Sequence, residues 1–122
     1  MIPSLTFVLL FVENPHKSSI FYQDILGIKP LEESPTFVMF RLQNGVMLGL
    51  WSRYTAEPRV EAQAGAQEIC FETDDVDALY ESWCKKHIAM PQEPTDMSFG
   101  RTFVALDPDG HRIRMYKPAK RN

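Results

Sequence analysis

One order of elements occurs twice in this chain, and that repetition limits its fold more than any other feature. The first copy opens on Leu5-Thr6-Phe7-Val8-Leu9-Leu10-Phe11-Val12, apolar at nearly every position, as a strand covered on both faces would be. Asn14 then caps a helix whose first residue is Pro15, and Gly27 closes it. Phe21, Tyr22, Ile25 and Leu26 share one side of that helix. Three strands are predicted next, over 28–32, 36–42 and 46–51, with Asn44-Gly45 as a tight turn between the last two. Roughly 60 residues on, the order returns. A strand over 68–73 leads to a helix capped by Asp74 or Asp75, with Val76, Leu79, Tyr80 and Trp83 at helical spacing. His87 falls in its last turn, and a short strand is predicted near 88–90. Tyr22 and Trp83 hold equivalent helix positions, as Leu10 and Phe71 do in the strands. Two copies are too few for a solenoid, so internal duplication of a strand–helix–three-strand unit is the simpler account.

The second copy ends in a hairpin. Phe99 to Leu106 and His111 to Tyr116 flank Asp107-Pro108-Asp109-Gly110, where proline presets φ and glycine supplies a positive one. After the turn, Arg112, Arg114 and Tyr116 alternate with Ile113 and Met115. Two cations and a tyrosine therefore share a face, either solvated or lining a site. Between the copies, residues 52–65 lack periodicity and read as a linker, or else as an arm beside a binding cleft.

With 122 residues, a single domain is expected. A net charge of -3 offers no basic stripe for phosphates, so no nucleic-acid partner is expected. Lys117, Lys120 and Arg121 read as a solvated tail. The apolar run at 5–12 is too short to span a bilayer and lacks a leader's flanks. Cys70 and Cys84 read as free thiols in a reducing compartment, so a cytoplasmic protein with no membrane partner is expected.

Ser18 with Phe21-Tyr22 and Leu26-Gly27, then Asp74-Asp75-Val76-Asp77, then Phe99-Gly100 with Asp107-Pro108-Asp109-Gly110 carry a resemblance over the whole chain. The chain resembles the vicinal-oxygen-chelate superfamily, which includes glyoxalases, bleomycin-resistance proteins and dioxygenases. The resemblance implies an α+β fold: two tandem βαβββ modules, about 4–51 and 66–117, curling a mixed sheet around a cleft within one 1–122 domain. It also implies a homodimer.

Enzymes of this superfamily hold a divalent ion with His, Glu or Gln on inward strand positions. The resemblance carries those positions onto Phe7, Leu48 or Gly49, Glu68 and Arg114. Only Glu68 could coordinate, and a guanidinium repels a cation, so no metal and no cofactor are expected. His16, His87 and His111 lie at a helix start, a helix end and a turn, and none is expected in the cleft. Glu68 and Arg114 are expected to pair, or Arg114 to meet an anionic or carbonyl group of a ligand. A general-base role for Glu68 is disfavoured by the adjacent arginine.

Without a metal, the ligand-binding set is read as Phe7, Met39, Gly49, Trp51, Glu68, Phe99 and Arg114. Gly49 leaves room beside Trp51, while Phe37 and Phe103 read as core or dimer interface. Rings and thioethers suit a flat, polarizable molecule. Trp51-Ser52, Glu57-Pro58 and the run 99–103 are most similar to the metal-free, antibiotic-binding branch, phenazine-resistance members in particular. The expected function is sequestration of a small planar aromatic compound, with no catalytic residue. Three alternatives stay open. One is a metal-dependent lyase, isomerase or dioxygenase using inward carboxylates such as Glu72. The second is a cofactor-free enzyme using Glu68 or Arg114. The third is an interaction module with a closed cleft.

Overall fold

The computed structural model describes residues 1–120. The chain forms two compact units, Met1–Ala64 and the residues from Gly65 onward. The first holds β1 (Phe7–Val12), α1 (Pro15–Leu26), β2 (Glu32–Glu33), β3 (Phe37–Arg41) and β4 (Met47–Ser52). The second holds β5 (Glu68–Glu72), α2 (Val76–Cys84), β6 (Gln92–Met97), β7 (Gly100–Leu106) and β8 (Arg112–Pro118). Each unit is thus βαβββ. Each carries a four-stranded mixed sheet, ordered β1-β4-β3-β2 in one and β5-β8-β7-β6 in the other. The outer pairs β1·β4 and β5·β8 are parallel and the remaining pairs antiparallel.

The helix ends follow the sequence closely. Asn14 sits extended and its side chain accepts from Lys17 N at 3.1 Å, while Gly27 (φ 68) returns its N–H to Gln23 O. Asp75, rather than Asp74, caps α2 by accepting from Ala78 N at 3.0 Å. Each helix buries an aromatic residue in its unit's core, Tyr22 and Trp83. Trp83 and Tyr80 meet Phe103 edge-on at 5.2 and 5.5 Å.

Several expectations are corrected. Residues 28–32 do not make a strand; only Glu32–Glu33 pair, because Pro30 has no N–H to give a ladder. The strand expected at 88–90 lies at Gln92–Met97, a polar, proline-containing edge strand with a register shift between Gln92 and Thr95 that accommodates Pro94. Residues 88–90 contribute Ala89 O, which accepts from Leu106 N. Helix α2 stops at Cys84, so His87 stands beyond it with a positive φ of 57. Strand β1 is not covered on both faces. Leu10 and Val12 are buried, whereas Phe7 and Leu9 each remain 37% exposed.

The expected linker is anchored at both ends. Ser52 closes β4, Arg53 N donates to Val12 O, and the Arg53 guanidinium bonds Glu13 at 2.9 Å. Tyr54 Oη donates to the same carboxylate. These hydrogen bonds, Tyr54 first and then Arg53, hold the Glu13 carboxyl below its ordinary range. At the far end, Gly65 N donates to His111 Nε2 at 3.1 Å. Lys117 and Lys120 are exposed, and Arg121 lies outside the described residues.

Candidate functional site

In each unit one sheet face packs on the helix and the other stays open. Alternation fixes which residues are on which. In the first unit, β1 sends Leu10 and Val12 into the core and Phe7, Leu9 and Phe11 to the open face. In β4, Leu48 and Leu50 are buried, so Gly49 and Trp51 lie opposite, with Leu9 and Phe11 as their ladder partners. Of the two alternatives, Leu48 or Gly49, it is therefore Gly49 that shares a face with Phe7. Across β4, Phe37 and Met39 pair with Trp51 and Gly49.

These residues make an aromatic hollow of about 410 Å³, lined by Phe7, Leu9, Phe37 and Trp51. Phe7 and Phe37 lie 6.4 Å apart at 29°, a near-parallel pair. Trp51 stands edge-on to Phe37 at 6.2 Å and 87°, and tilts against Phe11 at 6.3 Å. The result is a floor of two rings beside an indole wall. Gly49 does not leave an empty space beside Trp51, as the sequence suggested. A Cβ there would lie 2.7 Å from both Leu9 Cδ2 and Phe7 Cε1, so the room it provides is already filled by the floor.

A larger hollow in the same unit, about 530 Å³, is lined by Arg53, Tyr54, Ala56, Glu57, Arg59 and Val60. Its Arg53 and Tyr54 are held by Glu13, and it offers no apolar platform. The aromatic hollow is the better candidate because apolar surface supplies most of the binding energy for small organic ligands.

The open face of the second unit is polar. β5 places Glu68, Cys70 and Glu72 opposite Arg112, Arg114 and Tyr116 of β8. Glu68 and Arg114 do pair. Nε donates to Oε2 at 3.2 Å and an Nη to Oε1 at 3.5 Å, and Arg112 Nε reaches the same carboxylate at 2.8 Å. Arg114 also donates to Gln92 Oε1 (3.0 Å) and Thr102 Oγ1 (3.2 Å), and its side chain is 13% exposed. Its Cζ lies 5.7 Å from the centre of the Phe99 ring, which meets Tyr116 edge-on. Arg114 is thus engaged by the chain's own acceptors. Burial opposes ionisation of Glu68, but the Arg114 hydrogen bond and the charges of Arg114 and Arg112 outweigh it and lower its pKa. A carboxylate held that way is a poor general base. Burial, aided by Glu68, pushes the Cys70 thiol up, so it stays protonated at neutral pH.

The metal expected of the superfamily's enzymes does not fit these residues. Phe7 and Gly49 offer no donor, Glu68 is saturated by arginines, and Arg114 is a fixed cation. Glu72 shares the Glu68 face but stands four residues along the strand, roughly 13 Å away, too far to converge on one ion. Asp107, Asp109 and His111 do bring possible donors within 4.8 Å. The Asp107 and His111 atoms are committed elsewhere. Asp107 Oδ1 accepts from Asp109 N and His111 N at 2.9 Å, Oδ2 meets His111 Nδ1 at 2.7 Å, and Nε2 accepts from Gly65. This cluster builds the turn.

The sequence-derived set therefore falls into two groups. Phe7, Met39, Gly49 and Trp51 share the aromatic face, and Glu68, Phe99 and Arg114 share the polar one. Of the two residues expected in the core or a dimer interface, Phe103 is core, whereas Phe37 is half-buried on the floor. Leu9 and Phe37 were missed. The alternation of Phe7, Leu9 and Phe11 could have pointed to the open face, but Val8, Leu10 and Val12 are apolar too and masked it.

Two βαβββ units, each with one helix-covered and one open sheet face, define a duplicated α+β architecture that presents site residues on its strands. The chain belongs to the Glyoxalase/Bleomycin resistance protein/Dioxygenase superfamily, whose family model matches residues 4–115. It is 35% identical over 112 residues to the phenazine antibiotic resistance protein EhpR of Enterobacter agglomerans, covering 88% of this chain and 86% of that one. It is 30% identical over 122 residues to the metallothiol transferase FosB of Staphylococcus haemolyticus, covering 95% and 84%. Among solved structures, protein ATC0852 from Agrobacterium tumefaciens superposes with a TM-score of 0.86 at 43% identity, covering 98% of this chain and all of that one.

Proposed function

We propose that this protein binds a flat aromatic small molecule on the open face of its first unit and sequesters it without a resident metal ion. The observation that carries this reading is the Phe7–Phe37 floor with Trp51 at its side, a surface that offers stacking and no charge. Superfamily membership and the likeness to a phenazine antibiotic resistance protein support a small-molecule-binding role. In this reading the chain works as a cytoplasmic homodimer with no nucleic-acid or membrane partner. The net charge of -3 disfavours a nucleic-acid partner.

Titration with phenazine, followed by calorimetry and by tryptophan fluorescence, tests the proposal. Trp83 is buried against Phe103 and serves as a reference for Trp51. Removing one ring contact of about 1 kcal/mol, with the area it buries, should weaken binding roughly tenfold in Trp51→Ala and in Phe7→Ala. No binding by the wild-type chain, or binding unchanged in both variants, refutes it.

A second reading is a metal-dependent transferase, favoured by the 30% identity to FosB. The donor set described above opposes it. A stoichiometric divalent ion in protein purified without chelators would establish it.

A further inference from the structure

We propose that the polar hollow beyond β4 is a second binding compartment, which takes a zwitterionic, amino-acid-like tail of the molecule whose ring occupies the aromatic face, an inference that rests on the reading of that face as a ligand platform. Strand β4 delivers both hollows. Met47 N donates to Thr6 O and Arg53 N donates to Val12 O, so the parallel ladder runs one residue past Ser52 and sets Arg53 opposite Glu13. The 2.9 Å Glu13–Arg53 ion pair is the contact across that step. Alternation then puts Arg53 on the same face as Gly49 and Trp51. Two residues of strand cover roughly 7 Å. Trp51 lines the aromatic hollow and Arg53 the polar one, so the two lie end to end along one strand of the first unit.

The arm curls around the polar hollow. Thr55 N and Ala56 N both donate to Ser52 O at 3.1 Å, which turns the chain directly after the strand and buries Ala56. One Nη of Arg53 holds Glu13 at 2.9 Å and the other donates to Ala62 O at 3.4 Å, tying the arm's far end to its start. Tyr54 Oη donates to Glu13 and fixes a phenol wall. The hollow of about 530 Å³ is therefore held open by the chain's own bonds. Two of its lining side chains take no part in them. Glu57 and Arg59 carry opposite charges two residues apart, both are exposed, and neither has a hydrogen-bond or ion-pair partner among the described residues. A carboxylate and a guanidinium that line one hollow without meeting leave room for a group that meets both. That group carries an ammonium for Glu57 and a carboxylate for Arg59 side by side, the pattern of an α-amino acid. The ligand class is thus an aromatic ring joined by a short stem to an ammonium–carboxylate pair.

Two probes test this by calorimetry. One is phenazine-1-carboxamide carrying an N-butyl stem. The other is the same amide made on the side-chain nitrogen of free lysine, so that an equal stem ends in an ammonium and a carboxylate. Two exposed charge-assisted contacts should give wild type about a tenfold preference for the zwitterionic probe. The double variant Glu57→Gln, Arg59→Gln should bind both probes equally, with affinity for the butyl probe within about twofold of wild type. Each single variant should lose about threefold, on the zwitterionic probe alone. Both side chains are exposed and unpartnered, so the variants should fold. Equal binding of the two probes by wild type, or a preference that survives in the double variant, overturns the tail compartment and leaves the aromatic platform standing. Failure of wild type to bind either probe overturns the platform and the compartment together.

Discussion

Cutting His111 back to alanine should destabilise the protein more than any exposed substitution, and the size of the effect can be worked from its bonds. The imidazole is fully buried. Nε2 accepts the Gly65 N–H at 3.1 Å, so the ring's proton sits on Nδ1 and is donated to Asp107 Oδ2 at 2.7 Å. His111→Ala removes a neutral bond of about 1 kcal/mol and a charge-assisted one of about 1.5–3 kcal/mol. A cavity of ring size adds roughly 2 kcal/mol. The sum, about 5 kcal/mol, is a large share of the roughly 5–15 kcal/mol that holds a domain. His111→Asn separates the parts. Its amide can donate to Asp107 from the Nδ1 position but cannot reach Gly65, so about half the loss should return. Denaturant unfolding gives the stabilities, and hydrogen exchange at the Gly65 amide reports the severed bond. Equal losses in the two variants, losses below about 1 kcal/mol, or an imidazole nitrogen spectrum with the proton on Nε2 would refute the reasoning.

Two further perturbations read other parts of the structure. Asp75→Ala removes the α2 cap and should cost about 1 kcal/mol by denaturant unfolding, with Asp74→Ala near zero; the reverse order would mean the cap is misassigned. Acid stability should depend on three carboxylates whose folded pKa values are lowered, Glu68 through Arg114 and Arg112 against the effect of burial, Glu13 through Tyr54 and Arg53, and Asp77 through Arg101. A lowered folded pKa contributes stability that is complete above the unfolded value, about 4 for these groups, and is lost as pH falls through the folded one. The Tm–pH profile should therefore fall below about pH 4, and Glu68→Gln should be less stable at neutral pH with a shallower acid fall. A variant profile parallel to wild type would count against the assignment.

Much of this was legible because it was local. Asn14-Pro15 and Gly27 wrote the ends of α1, and the Asp74-Asp75 pair the start of α2, through single hydrogen bonds and backbone preferences. The Arg112/Ile113/Arg114/Met115 alternation marks the faces of β8, and the Glu68–Arg114 pair was expected from the inward positions that the family resemblance carries onto both residues. What failed to show was non-local. Strand β6 has no apolar rhythm and contains Pro94; only pairing with β7 makes Gln92–Met97 a strand. Gly49 read as vacant room because nothing in the sequence says that Phe7, Leu9 and Phe37 converge on it from two other strands. His111 read as a turn residue because its partner Gly65 lies 46 positions away.

The duplication bears on what such a fold can do. The ladder Phe7↔Met47, Leu9↔Gly49, Phe11↔Trp51 in one unit is repeated as Glu68↔Arg112, Cys70↔Arg114, Glu72↔Tyr116 in the other. Six equivalent positions on the same parallel pair carry three rings, a thioether, a leucine and a glycine in the first copy, and carboxylates, a thiol, guanidinium groups and a phenol in the second. The cores have kept their character, with Tyr22 and Trp83 buried at matching places, while the open faces have diverged completely. The backbone therefore sets only where six side chains project, and their identity decides between gripping an ion and gripping a ring. Likeness to an antibiotic resistance protein and to a metallothiol transferase is then no contradiction, since both follow from the shared scaffold. What separates the two outcomes is carried by positions such as 7, 49 and 114. There this chain has a ring, a glycine over which neighbouring side chains close, and a cation no metal would accept as a ligand.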